Sequence, residues 1–253
     1  MRIFRAAILL ALVFPTVGHG EVKPEGWRNE SELSIARATG NAETETYAAK
    51  EALGYQFSSS VLKLSGHYLY GTARAVENAR NWDAALRYEK ELSGALSGYL
   101  GHQYEGDPFV GFDLRVSAAT GLKHYFRDID RDKNYIFAEL GYTFAYEERI
   151  PGAAIATLTS HFARAYGEWR QPITDTTSLR NSLEVLQDFA HTDNLQINFD
   201  TSLQVTMTKV LSLKVGYTGR YRRTPVAVGN RNFDGLLAVS LIAKYVPDPP
   251  ANP

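Results

Sequence analysis

The chain has 253 residues, of which 44% are hydrophobic and none is Cys, and its formal net charge is -1. That balance excludes the basic stripe of a nucleic-acid binder, a disulfide framework and thiolate metal sites, and no run stays apolar for the ~20 residues of a membrane helix. What stands out instead is an aromatic set of 15 Tyr and 12 Phe, with Tyr in particular suited to a boundary between lipid and water.

In chain order, Arg2 and Arg5 precede an apolar core from Ala6 to Phe14, and Gly18-His19-Gly20 supplies a small-x-small cleavage site. This layout predicts a secretory signal peptide over 1–20 and a mature chain from Glu21. Beyond it the pattern predicts strands at 27–38, 42–57, 60–71, 80–92, 94–105, 112–127, 133–147, 157–171, 174–189, 193–208, 210–222 and 233–246, with no linker between any two. The clearest pair lies near the end. Leu195, Ile197, Phe199, Leu203 and Val205 alternate with Gln196, Asn198, Asp200, Ser202 and Gln204. Then Leu211, Leu213, Val215, Tyr217 and Tyr221 alternate with Ser212, Lys214, Gly216, Thr218 and Arg220. Successive strand side chains face opposite ways, so each strand has one apolar and one polar face. Its length matches the ~10 tilted residues that cross a bilayer.

Connections near 58–59, 92–94, 172–174 and 208–210 are very short, and those near 71–80, 105–112, 147–157 and 222–232 are longer. Short turns on one side and longer loops on the other are the habit of outer-membrane barrels. The predicted fold is therefore all-β: one transmembrane antiparallel β-barrel of about 12 strands over 21–246, both termini periplasmic, with 247–253 a flexible periplasmic tail.

Extending the alternation assigns Leu33, Leu64, Leu86, Leu140 and Leu241, with their parity mates, to the lipid face. The candidate lumen lining is Lys50, Lys63, Arg87, Glu89, Asp113, Arg115, Lys123, Glu139, Glu184, Asp200, Lys214, Arg220 and Lys244. Glu30, Glu32, Asp83, Glu168, Asp188, Arg164, Arg170 and Arg180 join it on parity. Strand 157–171 resists this reading, because Phe162, Arg164, Tyr166 and Glu168 share one parity, and a bulge is expected to re-aim half of it. Similar numbers of acids and bases predict cross-strand ion pairs rather than a single-sign ring, in a narrow or plugged lumen.

The opening pair from Ser31 to Thr46, with Gly40 and Asn41 at its turn, carries a resemblance. So do Arg87-Tyr88, Phe112 to Ala118 leading to Gly121-Leu122, and Asp128 to Asp132 before Glu139-Leu140-Gly141. Together they resemble a domain-of-unknown-function family described as salt-induced outer-membrane proteins. The resemblance implies a barrel in the outer membrane of Gram-negative bacteria, of no established activity. The expected partners are the outer-membrane lipids and lipopolysaccharide, the barrel assembly machinery and small hydrophilic solutes. Such barrels commonly finish on a terminal aromatic, whereas here Tyr245-Val246 is followed by Pro247 to Pro253.

Asp128, Asp130, Asp132, Asn134 and Glu139 imitate the spacing of a calcium loop, but Lys133 stands where the turn needs Gly, and the stretch reads as a solvated turn. His67, His102, His124, His161 and His191 show no metal-ligand spacing. There is no G-x-S-x-G elbow, no H-E-x-x-H and no phosphate loop. His191 beside Thr192 and Asp193 is the candidate that a lipid-modifying hydrolase would use. Arg220, Arg222, Arg223 and Arg231 cluster about the last external loop, where lipopolysaccharide phosphates would lie. No catalytic, cofactor or metal residue is assigned. The expected function is a narrow passive pore or a structural, stress-related envelope barrel, with an outer-membrane lipid hydrolase as the alternative.

Overall fold

A computed structural model describes residues 25–38, 44–130, 134–153, 155–225 and 231–245; the expected signal peptide and tail lie outside them. Twelve strands form: β1 Gly26–Ala38, β2 Thr44–Gln56, β3 Ser60–Ala73, β4 Val76–Ser93, β5 Leu96–Asp107 and β6 Phe112–Asp130, then β7 Asn134–Arg149, β8 Thr157–Pro172, β9 Thr177–Asp188, β10 Leu195–Thr206, β11 Leu211–Arg222 and β12 Phe233–Tyr245. Each pairs antiparallel with its chain neighbours, and β1 closes on β12 from Asn29↔Tyr245 to Ser34↔Ser240. Closure removes the two free edges of an open sheet over this stretch, while residues 35–38 of β1 and 233–239 of β12 have no register partner across the seam among the described residues. Gly26 and Tyr245 lie at one end of the barrel, called the near rim below; the other end is the far rim.

The strands start and stop close to their predicted limits, with one instructive exception. β4 begins at Val76 rather than at 80, so the expected long loop is a two-residue turn. Arg74 and Ala75 both take positive φ, 50° and 61°, the backbone that matches the twist of a tight hairpin. Neither residue type advertises that conformation in sequence.

The outward face carries the apolar set. Leu33 is 62% exposed, Leu140 70% and Leu237 67%, as a surface in contact with lipid rather than water must be. Aromatics gather toward both rims. Trp27, Tyr55 and Phe57 meet edge to face at the near rim, with centroids 5.0 and 4.7 Å apart. Toward the far rim Phe199 lies across Gly219 and Tyr217 across Gly235, where an added Cβ would collide with the Phe199 ring and the Tyr217 hydroxyl. The glycines open the space that these cross-strand aromatics fill.

β8 corrects the sequence reading. Its register with β7 and with β9 runs unbroken, so no bulge re-aims it. Phe162, Arg164, Tyr166 and Glu168 all project inward, and the lumen accommodates the two rings.

Candidate functional site: the lumen

Inward side chains of β3–β9 include long charged groups set among small ones such as Ser117, Ala119 and Ala145, and alternation brings the charged groups to one height on neighbouring strands. Glu139 on β7 is the hub, with 3% of its side chain exposed. It accepts hydrogen bonds from Arg87 on β4, at 2.6 and 3.3 Å, and from Arg164 on β8 at 2.7 Å. Arg164 also donates to Glu184 on β9 at 2.6 Å, and Glu184 accepts from Asn198 at 2.9 Å. Arg87 donates to Glu89 at 2.8 Å; Lys63 and Lys123 meet the same carboxylate at 2.9 and 3.3 Å. Lys123 also sits 4.0 Å from the Phe137 ring centroid.

Tyr99 on β5 completes this layer. Its ring lies under Arg87 at 4.0 Å, and its hydroxyl accepts from Arg164 at 3.1 Å. To reach β8 it crosses Gly121 and Gly141, which are register partners on β6 and β7. An added Cβ would fall 2.8 Å from the Tyr99 hydroxyl at Gly121 and closer still at Gly141. Glycine is needed there because the ring occupies the place of a side chain. A second layer nearer the near rim joins Glu168 to Arg180 at 2.8 Å and to the Tyr135 and Tyr166 hydroxyls. Arg170 donates to Gln204 at 2.8 Å.

The opposite wall is smaller and wetter. On β1, β2 and β10–β12 the inward positions include Ala48, Ser202, Gly216 and Ala238, while Ala36, Lys50, Ala52, Asp200, Arg220, Asp234 and Leu236 are exposed. Asp200 accepts from Thr218 at 2.5 Å. Toward the near rim this side narrows. Glu32, Gln204, Ser212, Ser240 and Ile242 are buried, Lys214 pairs with Glu32, and Lys244 meets Glu30 at 2.6 Å. The lumen is thus filled by ion pairs along β4–β8 and lined by small and solvated groups along β10–β2.

At the far rim, Arg115 on β6 meets Glu105 at 2.6 Å and Glu147 at 2.9 Å. Its guanidinium stacks 4.0 Å from the Phe112 ring, and Arg222 of β11 approaches the same ring at 5.6 Å. β6 and β11 lie nearly opposite in the barrel, so this stack spans the mouth. Asp113 is displaced from the lumen lining: the β6 register shifts between Phe112 and Leu114, Phe112 is buried beneath Arg115, and Asp113 is exposed.

The mouth also settles where His191 points. Its Nδ1 lies 3.2 Å from Asp188, whose fully buried carboxylate further accepts from the Ala190 amide at 2.9 Å and from Asn194 at 3.1 Å. Asp188 therefore staples loop 189–194 to the barrel. The nearby Ser160 hydroxyl accepts from Asn194 at 3.2 Å, and no hydrogen bond joins Ser160 directly to His191 among the described residues, so the serine–imidazole contact of an activated nucleophile is not formed here. In the calcium-like stretch, Asp132 falls outside the described residues, and Glu139 is committed to its two arginines.

A sequence family described as protein of unknown function, DUF481, matches residues 31–245, which is all but the first few residues of the barrel. The chain belongs to the DUF481 family. No curated relative matches it. Among solved structures, the COG4313 outer membrane channel from Pseudomonas putida F1 is similar at a TM-score of 0.50 and 11% identity, over 92% of this chain and 100% of that one. The NanC porin is similar at 0.47 and 12%, over 86% and 97%. The KdgM porin in complex with disordered oligogalacturonate is similar at 0.46 and 10%, over 87% and 99%. At 11% identity the likeness to the COG4313 channel shows the barrel fold.

Several lumen residues of this DUF481 barrel fall outside the charged lining read from the sequence but share its parity. Tyr99 shares a face with Ser97 and Glu105, and Glu147 and Arg149 share one with Glu139. Their inward placement was readable from alternation alone; their partners were not, because those depend on the closure of the barrel.

Proposed function

We propose that this chain is an outer-membrane barrel that gives small hydrophilic solutes a narrow passive path. The observation that carries the reading is the two-sided lumen: packed ion pairs on β4–β8 face an exposed wall that includes Lys50, Asp200, Arg220 and Asp234. Charges of both signs along one wall attract ions and release them, which a conducting path requires. The outward apolar belt between aromatic rims fits a bilayer. The fold it shares with an outer membrane channel supports the same location. In that membrane the near rim faces the periplasm and the far rim the cell exterior, with lipopolysaccharide around the far rim and the barrel assembly machinery acting during insertion after removal of residues 1–20.

A second reading rests on the Lys214–Glu32 pair and the buried Ile242, which narrow the wall near the periplasmic rim. Held shut there, the barrel would be a structural envelope protein. Planar-bilayer recording of the purified protein separates the two. Stepwise currents whose ion preference shifts in Lys63→Glu establish the path. Silence from a folded sample across a range of voltages selects the closed barrel. Release of fatty acid from envelope lipids by the same sample would overturn both.

A further inference from the structure

We infer that the far-rim mouth holds a binding site for a small carboxylate with an apolar body, centred on Arg222. A cavity of about 170 Å³ opens there between Ile155 and loop 189–194. Its polar lining includes Arg115, Glu147, Arg149 and Arg222, and its apolar lining includes Leu158 and Phe162. The cations differ in one respect. Arg115 is held by Glu105 and Glu147, and Arg149 donates to Glu147 at 3.1 Å. Arg222 makes no ion pair or side-chain hydrogen bond among the described residues, and its guanidinium contact is the Phe112 ring. The neighbouring Glu147 is already shared by two guanidiniums, while Arg115 and Arg220 add like charge around Arg222.

The backbone beneath this arginine is fixed from both sides. Asn232 donates to the Arg222 and Arg223 carbonyls at 2.8 and 2.7 Å, the Arg222 amide donates to the Asn232 carbonyl at 2.8 Å, and the Arg223 amide donates to the Leu195 carbonyl at 2.9 Å. The Thr224 hydroxyl reaches the Asp193 carbonyl at 3.2 Å. A half-buried guanidinium on a fixed backbone, with no carboxylate paired to it among the described residues although Glu105, Glu147 and Asp193 lie near, and beside an apolar wall, is complementary to a planar anion carrying a hydrocarbon group. The carboxylate would take the fork of Arg222, and the carbon body would lie against Leu158 and Phe162. The inference goes beyond the path proposed above and stands without it, since it requires only that this mouth open to solution.

Isothermal titration of the folded full barrel in a nonionic detergent tests it, with sodium benzoate as probe and benzamide and inorganic phosphate as comparisons. Benzoate is expected to bind saturably, at least about tenfold more tightly than benzamide, and Arg222→Gln to weaken it by about tenfold or more. Arg222 has no ionic partner to orphan, so that variant should fold, as its heat-modifiable migration would report. Ile155→Asp, on an exposed position of the cavity rim, provides an independent check and should weaken benzoate several-fold while leaving benzamide unchanged. Equal affinity for benzoate and benzamide, phosphate binding as tight as benzoate, or no effect of either substitution would overturn the inference. None of these outcomes bears on conduction, which is measured separately.

Discussion

Glu139→Ala removes the hub of the lumen network and should destabilise the barrel by about 3 kcal/mol. Breaking a buried ion pair by deleting one partner typically costs ~3–5 kcal/mol, because the surviving charge is left without its counterion. Here two arginines lose a carboxylate, yet each keeps another: Arg87 retains Glu89 at 2.8 Å, and Arg164 retains Glu184 at 2.6 Å. That places the effect at the lower end of the range. Glu184→Ala should cost less, about 1 kcal/mol, since that side chain is 22% exposed and Arg164 keeps Glu139. Replacing the whole triad, as Arg87→Met with Glu139→Leu and Arg164→Met, should recover part of the loss: no arginine is then stranded and Glu89 keeps Lys63 and Lys123, while Glu184, 22% exposed, keeps only its bond from Asn198. Urea unfolding in lipid vesicles measures all three. Trp27, Trp82 and Trp169 lie on the outward face and report transfer from lipid to water through their fluorescence. Should Glu139→Ala and Glu184→Ala both fall within about 0.5 kcal/mol of the parent, water in the lumen is hydrating these arginines and the network does not plug it.

Leu213→Arg and Leu241→Arg, which face each other on β11 and β12, should each cost about 2–4 kcal/mol in the same assay, and Ser202→Ala on the inward face should be near neutral; equal losses on both faces would break the face assignment. Gly141→Ala should be worse than Tyr99→Phe. The new Cβ would overlap the Thr120 carbonyl and the Tyr99 hydroxyl, whereas the phenylalanine loses a hydrogen bond worth about 1 kcal/mol, and unfolding midpoints rank the two. Asp188→Ala should free loop 189–194 and speed its amide exchange by about tenfold or more while leaving exchange in β9 unchanged; equal speeding of both would show that Asp188 supports the strand rather than the loop.

Strand positions and facing were legible because a barrel wall imposes a period of two over many residues, and a slip by one would reverse every side chain. Leu195 to Tyr221 shows this most plainly. The Arg74–Ala75 turn was hidden, since its left-handed backbone is carried by residues that do not favour it. β8 misled for a different reason. Inward aromatics look like a parity error until Tyr166 is seen bonded to Glu168 and Phe162 is seen filling the mouth. Asp113 was misplaced by a bulge that parity cannot reveal. The charge balance predicted pairing, but not that Arg87 would reach Glu139, 52 residues away and three strands along the wall. That choice is set by closure and register, which no local pattern encodes.

A solute that crosses this barrel should do so along the β10–β2 wall, and the absence of Cys from the chain allows a direct measurement. Asp200→Cys puts a thiol on the exposed inward face of β10, and Leu203→Cys puts one on its outward face. Single-channel current recorded before and after a charged, membrane-impermeant thiol reagent should fall in steps for Asp200→Cys and stay unchanged for Leu203→Cys. Block at position 203 but not at 200, or current untouched at both, would contradict a path along this wall.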